Sequence, residues 1–346
     1  MAQAPRYLRN CWYVAAHLDE LENRDLLART LLEEPVVLLK TETGRWHALA
    51  DRCPHRFAPL SMGSCDKGIV VCAYHGLAFD GAGNCVHNPH GPVTGSLAVK
   101  SYPLALRGPL VWIWMGDPAL AETTPVPSYE WLENGSHHIG LGYLYGLANY
   151  QLMADNILDL SHIEYLHPIL GTEAVSKAKV EVETTPDSIV TTRHMVDELL
   201  SEPLARTYRT EGARVDRELR VEWRAPSLME LTVTICPQSP PGAPPRGSRT
   251  LHFFTPETSG STHYFYVSGM SKSDTSEQIA SGFRTALEKA FVHEDKPMID
   301  AQQRRIGPEC DIMDMGPAML SIDKAPVLAR RRLRQRIDNE RIFRDG

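Results

Sequence analysis

The chain has 346 residues, a formal net charge of −7, 42% apolar residues and 23% charged ones. That length and composition suit a sizeable buried core in two packed units, and exclude a disordered or collagen-like chain. The mild acidity argues against a nucleic-acid partner, which would favour a concentrated positive field.

No run approaches the ~18–20 consecutive apolar residues of a membrane span, so no membrane partner is expected. The first ten residues lack the apolar stretch of a signal peptide. Seven cysteines spread thinly over the chain do not read as a disulfide framework, and a cytoplasmic location is the expectation.

In chain order, the first third reads as short strands punctuated by Gly and Pro. Residues 36–39 and 46–50 flank Thr43-Gly44, and 69–72 and 110–114 follow, as in a small all-β unit. Pro125 and Pro127 suggest a boundary between a domain over 1–125 and another over 126–346. Leu152, Met153, Ile157, Leu160 and Ile163 recur at helical spacing over 150–166. Alternation then predicts strands: Leu219, Val221 and Trp223 face one way, Leu231, Val233 and Ile235 repeat the pattern, and 251–254 and 264–267 follow. The proline-rich 239–247 is an exposed loop. A helix over 276–305 is expected to kink at Pro297, and a strongly basic helix covers 327–343. The second unit is thus an α+β arrangement of helices against an antiparallel sheet.

Two short loops stand out. Cys53-Pro-His55 and Cys72-Ala-Tyr-His75 are separated by 16 residues, and each offers one thiolate and one imidazole. This pairing resembles the Rieske [2Fe–2S] motif, in which two cysteines hold one iron and two histidines the other. The resemblance implies that Cys53, His55, Cys72 and His75 bind the cluster, at a potential of roughly −150 to +300 mV. A structural Cys₂His₂ zinc site is the alternative, although zinc sites usually group Cys with Cys and His with His. Cys65 and Cys85 lie outside the motif and read as small apolar residues.

A second cluster runs from Asp155 to Pro168 and carries His162 and His167. Five residues on an ideal helix leave two side chains about 140° apart, too far to chelate one ion comfortably. Pro168 disfavours helical geometry at the residue before it, so His167 is expected where the helix ends or is distorted. Asp159, three residues before His162, can hydrogen-bond that imidazole and orient it. Two histidines and one carboxylate on one face of a metal is the ligand set of a non-haem Fe(II) oxygenase. The carboxylate must come from elsewhere, and Glu294, Asp295 and Asp300 are candidates, whereas His293 reads as a solvated helix residue.

Taken together, the chain resembles the Rieske non-haem iron oxygenases over nearly its whole length. The likeness is to oxygenase components of the vanillate O-demethylase, dicamba demethylase and toluenesulfonate methyl-monooxygenase type. It rests on Asn10-Cys-Trp-Tyr-Val-Ala-Ala16, the Rieske loops, Asn156-x-x-Asp159-x-x-His162-x4-His167, and Phe254-Thr-Pro-Glu-Thr258 followed by Tyr264-Phe-Tyr266. The resemblance implies an all-β Rieske domain followed by a helix-grip-like domain carrying mononuclear Fe(II), with Asp295 as third ligand. It further implies a head-to-tail homotrimer in which Asp159, with Asn156 beside it, acts at the point where electrons cross to the iron. Electrons would come from NAD(P)H through a separate flavin and iron–sulfur reductase, and the substrate would be a small aromatic compound, with an aromatic acid favoured. His252 is a candidate substrate contact, although a structural histidine is the better expectation. Arg330, Arg331, Arg332, Arg334 and Arg336 offer a reductase-docking face or a merely solvated one. A Rieske electron carrier without catalysis, and a ring dihydroxylase, are the competing functions.

Overall fold

The computed structural model describes residues 6–22, 24–41, 44–307 and 311–345. Contacts divide the chain into one compact unit of Tyr7–Ser128 with Thr255–Thr258, and another of Tyr129–Phe254 with Ser259 onward. Among the described residues no helix is long and apolar enough to cross a membrane.

The N-terminal unit is built from three small sheets. Strands Glu34–Lys40, Trp46–Ala50 and Leu110–Trp114 lie where apolar and β-branched residues concentrate in sequence. Ser64–Asp66, Ile69–Val71, Ala78–Phe79 and Cys85–His87 make the sheet that carries the second Cys/His loop. Val37, Leu39, Leu49, Leu60, Val70 and Phe79 form a core that also encloses Cys53 and Cys72, with Cys65 and Cys85 packed at its edge. Thr255–Thr258 belongs here because its backbone accepts from this unit: Leu32 and Glu33 donate to the carbonyls of Pro256 and Glu257 at 2.8 Å each. Alternation along the chain carries no sign of that exchange.

The second unit centres on a seven-stranded sheet. Its spatial order is His137–Gly146, Ser261–Ser271, Arg246–Thr258, Leu228–Pro237, Val215–Arg224, Ser188–Glu198 and Lys179–Thr184. In Val215–Arg224 the buried side chains are Val215, Arg217, Leu219, Val221 and Trp223, the period-two pattern of a strand covered on one face. Leu231 and Val233 sit opposite Val221 and Leu219 on that face but are only half-buried.

Two departures from the expected helices matter. The run over 150–166 is not one helix: Tyr150–Leu158 ends at Asp159 (φ −114°, ψ 95°), and a 3₁₀ turn Leu160–His162 and a short helix Ile163–Leu166 follow. Asp159 takes extended geometry because its carboxylate accepts from the backbone N–H of Ser161, which makes it the cap of the next turn. In the late helical segment the irregularity precedes Pro297: Glu277–Lys289 passes into a π-helical turn, Ala290–Asp295, before Lys296–Ile306. Proline has no N–H for the carbonyl four residues back, and its ring crowds that carbonyl, so the widened turn absorbs the mismatch.

The last helix, Lys324–Asp345, buries Ala325, Ala329, Leu333 and Ile337 along one stripe. Its basic face is only partly solvated, with Arg331 and Arg334 exposed and others held by the fold. Arg330 is buried and clamps Asp155 (2.6 and 2.9 Å) and Asp311 (3.1 Å), Arg332 donates to the carbonyl of Ser188, Arg334 pairs with Asp311, and Arg336 pairs with Asp187.

Trp223 is among the largest fully buried side chains, at 1% exposure. Trp223→Ala is expected to destabilise the protein by ~3–5 kcal/mol. Urea unfolding followed by circular dichroism measures this, and a loss below about 1 kcal/mol would contradict the packing described.

Candidate functional site

The two Cys/His loops fold alike despite their different spacing. The Cys53 N–H donates to the carbonyl of Ala58 and the Phe57 N–H returns to that of Cys53; the same pair of bonds links Cys72 with Leu77 and Gly76 with Cys72. The residue four beyond each cysteine is left-handed, at φ 59° for Phe57 and 72° for Gly76. Glycine adopts this without penalty, whereas Phe57 is held there by its surroundings, with Arg52 lying over its ring at 3.8 Å.

Both cysteines are 2% exposed, while His55 is exposed and His75 half-buried, their ring centroids 4.5 Å apart. Burial, together with the neighbouring Cys72, pushes the Cys53 thiol up, so a thiolate there needs a bound cation to hold it. Two buried sulfurs facing two outward imidazoles is a donor set that fits a Rieske cluster. His90, which the motif does not flag, bonds through Nε2 to the carbonyl of His75 at 3.0 Å.

In the second unit His162, His167 and Asp295 each offer a ligand atom, all within 4.8 Å of one another. Asp295 Oδ1 lies 3.4 Å from His162 Nε2 and 3.2 Å from His167 Nε2. Ligand atoms bound about 2.1 Å from one ion at right angles stand ~3 Å apart, so this buried trio fits a divalent iron.

The interruptions of the helices make the convergence possible. Extended geometry at Asp159 and the 3₁₀ turn re-aim His162, while His167 stands just past a helix end at φ −118°, as Pro168 requires. The π-helical turn lets two consecutive carboxylates reach one imidazole: Glu294 Oε2 bonds His167 Nδ1 at 2.7 Å and Asp295 faces Nε2. Burial lowers the His162 pKa against the pull of Asp295. For His167 burial acts in the same direction, but Asp295 and Glu294 outweigh it and raise the pKa.

Asp159 orients His162, though not through its carboxylate as the helical face suggested. The imidazole Nδ1 bonds the Asp159 main-chain carbonyl at 2.8 Å, while the carboxylate accepts from the Ser161 N–H and hydroxyl and lies 3.3 Å from Arg193. Asn156 donates Nδ2 to Asp295 Oδ1 at 3.1 Å. Asp300 stands apart from the trio, accepting from the Leu147 N–H and pairing with Lys296, and His293 is exposed.

A small, partly open pocket reaches Asp295, walled by Leu144, Met153, Ile157, Phe254, Tyr264 and Phe291, with Asn156 and Asp295 among its polar groups. His252 is fully buried and is not part of that wall, but its Nδ1 holds the Tyr264 hydroxyl at 2.6 Å. Its Nε2 has no hydrogen-bond partner among the described residues. Burial pushes His252 down to about 3 and drives Tyr264 far above the usual tyrosine range.

Comparison with known proteins identifies both domains. The Rieske [2Fe–2S] domain family matches residues 11–103, and the vanillate O-demethylase oxygenase C-terminal domain family matches residues 147–339. The dicamba O-demethylase oxygenase component of Stenotrophomonas maltophilia is 36% identical over 94% of this chain and 97% of its own length. The toluene-4-sulfonate monooxygenase iron–sulfur subunit TsaM1 of Comamonas testosteroni is 36% identical over 86% and 88%. The crystal structure of dicamba monooxygenase bound to 3,6-dichlorosalicylic acid superposes with a TM-score of 0.88 at 35% identity, covering 96% of this chain and 98% of that one. The zinc reading of the Cys/His loops and the carrier without catalysis both give way to these matches. The chain belongs to the Rieske non-haem iron oxygenases, among the oxygenase components of the vanillate and dicamba O-demethylase type.

Proposed function

We propose that this oxygenase component acts on a small aromatic compound bearing a methyl ether or methyl group. The observation that carries this reading is a mostly apolar pocket that reaches Asp295, whose carboxylate faces His162 and His167. When bound, the cluster and Fe(II) supply the redox chemistry that places one atom of O₂ in a C–H bond while the other leaves as water, with two electrons and two protons consumed. An aryl methyl ether hydroxylated in this way gives a hemiacetal, which collapses to a phenol and formaldehyde. An aryl methyl group gives a benzylic alcohol.

The chain's own residues have distinct parts. Cys53, His55, Cys72 and His75 hold the cluster, with the histidines, which are less buried than the cysteines, on the side from which an electron leaves. His162, His167 and Asp295 hold the iron; Glu294 fixes the His167 ring and Asn156 the Asp295 carboxylate. Phe254, Phe291 and Ile157 exclude water and stack against an aromatic ring. The Tyr264 hydroxyl, held by the buried His252, is the polar anchor for a substrate hydroxyl, carboxylate or sulfonate. Family kinship supports a head-to-tail homotrimer, in which the half-exposed Asp159 carboxylate receives the partner subunit's His75. It also supports a separate flavin-containing reductase that takes electrons from NAD(P)H. A cytoplasmic setting suits the free state of the six described cysteines.

Oxygen uptake with a surrogate reductase and a panel of methoxylated and methylated aromatic acids tests the reaction. Formaldehyde release from the ethers, with one labelled atom from ¹⁸O₂ per hydroxylated product, is expected. Two labelled atoms on the ring would instead establish dihydroxylation. Asp159→Asn should retain both iron centres and lose product formation by at least about a hundredfold, and wild-type turnover in that variant would end the bridging role. Because burial keeps His252 neutral and Tyr264 protonated, KM for an acidic substrate should be flat from about pH 6 to 9. A steep rise in KM through the ordinary histidine range would contradict recognition by a neutral pair.

A further inference from the structure

The excursion from Asp159 to Val175 carries both candidate iron-ligating histidines, yet it holds only a 3₁₀ turn and one-turn helices. Backbone this irregular must be held from outside, and two buried arginines of the seven-stranded sheet hold it. Arg193, on Ser188–Glu198, donates to the carbonyl of Val175 at 2.7 Å and reaches the Asp159 carboxylate at 3.3 Å, closing the excursion at its base. Arg217, on Val215–Arg224, donates Nη1 to the carbonyl of Leu170 at 3.1 Å. The Leu170 and Gly171 N–H groups in turn bond the carbonyl of His167, at 3.0 and 2.9 Å, so the grip on Leu170 acts one turn from that histidine.

The rest of the Arg217 guanidinium pairs with Glu198, Nε to Oε2 at 2.8 Å and Nη2 to Oε1 at 2.7 Å. Glu198 also accepts from the hydroxyl of Thr172, and Ser201 donates to the carbonyl of Ile169. Gly171 lies so close to Ile163 that a Cβ would stand 2.3 Å from its carbonyl oxygen, which draws the excursion tight against the helix following His162. Arg193, Arg217 and Glu198 are all 5% exposed or less.

A buried ion pair adds little net stability, because desolvating both charges offsets their attraction. An apolar pair of equal volume would pack the sheet as well, but it could neither donate to Leu170 nor accept from Thr172. From this geometry we infer that Arg217 and Glu198, with Arg193, are positioning residues that fix the excursion so that His162 and His167 face Asp295 together. Their contribution is retention of the mononuclear iron, and the Rieske cluster does not depend on them. The inference rests on His162, His167 and Asp295 being the iron ligands.

Glu198→Gln combined with Arg217→Met removes both charges and avoids the unpaired buried charge that either single change leaves. Thr172→Val removes one hydroxyl and no charge. Each variant is isolated as holoenzyme, iron is counted against the cluster's visible spectrum, and release of Fe(II) to a chelator is timed. Cluster content is expected to be unchanged, with release about 10–100-fold faster in the double variant, the usual effect of losing an outer support of a ligand. Thr172→Val should act in the same direction more weakly, and it decides the question if the double variant does not fold. Release at the wild-type rate with the cluster intact overturns the proposal, as does a lowered unfolding midpoint of the iron-stripped protein with release unaltered. His167→Ala is the control: mononuclear iron retained there as in the wild type would show that the ligand assignment, and not the clasp, is at fault.

Discussion

Asp295 is a carboxylate at 5% exposure, with imidazole nitrogens 3.2 and 3.4 Å from one of its oxygens and Glu294 on the far side of one of those rings. Removing such groups from water costs several kcal/mol each unless opposite charge compensates them. Two imidazoles cannot do this fully, since burial holds His162 toward its neutral form. A divalent cation does, and it favours the neutral imidazoles and ionised carboxylate it binds. A metal bound there would therefore stabilise this region, and the local architecture brings the three donor atoms within 4.8 Å of one another.

That requirement explains where the helices are irregular. The long segments are regular where they pack on the sheet and lose regularity where they meet the trio: extended backbone at Asp159, a 3₁₀ turn at His162, a non-helical His167, and a π-helical turn ending at Asp295. Each departure has a local chemical cause, in the Asp159 cap on Ser161 or in the prolines at 168 and 297. Unfavourable backbone is tolerated because the surrounding structure over-determines it.

The same causes set what could be read in the sequence. The Rieske loops were legible because two Cys/His pairs at short range carry their own signature, and the strands because period two survives in Leu219, Val221 and Trp223. His162 and His167 were legible as a pair, with Pro168 explaining how they could converge. The third donor was different: Glu294, Asp295 and Asp300 look alike in sequence, and only tertiary structure separates an acid facing two imidazoles from one tied to Lys296 and Leu147. Interactions made through the main chain were invisible, among them the Asp159 carbonyl on His162 and the Arg217 grip on Leu170. Hydrophobic periodicity records which face is buried, not which carbonyl a buried arginine will find. For the same reason the arginines of the last helix suggested a surface until Arg330 was seen clamped on Asp155.

The two centres also divide constraint from variation. At the Cys/His loops the cysteines are locked in a core with Leu60, Val70 and Phe79, while His55 is exposed and His75 half-buried. At the candidate iron site His162, His167, Glu294 and Asp295 come from irregular segments, braced by Asn156 on a regular helix and by the buried arginines on strands, and the pocket wall comes mostly from apolar side chains. A change of volume at Leu144 or Phe254 reshapes the space offered to a substrate and leaves Glu294, Asn156 and the Arg217–Glu198 pair in place. On the proposed ligand assignment the irregular segments hold the chemistry, and the apolar walls, which can change one side chain at a time, set the specificity.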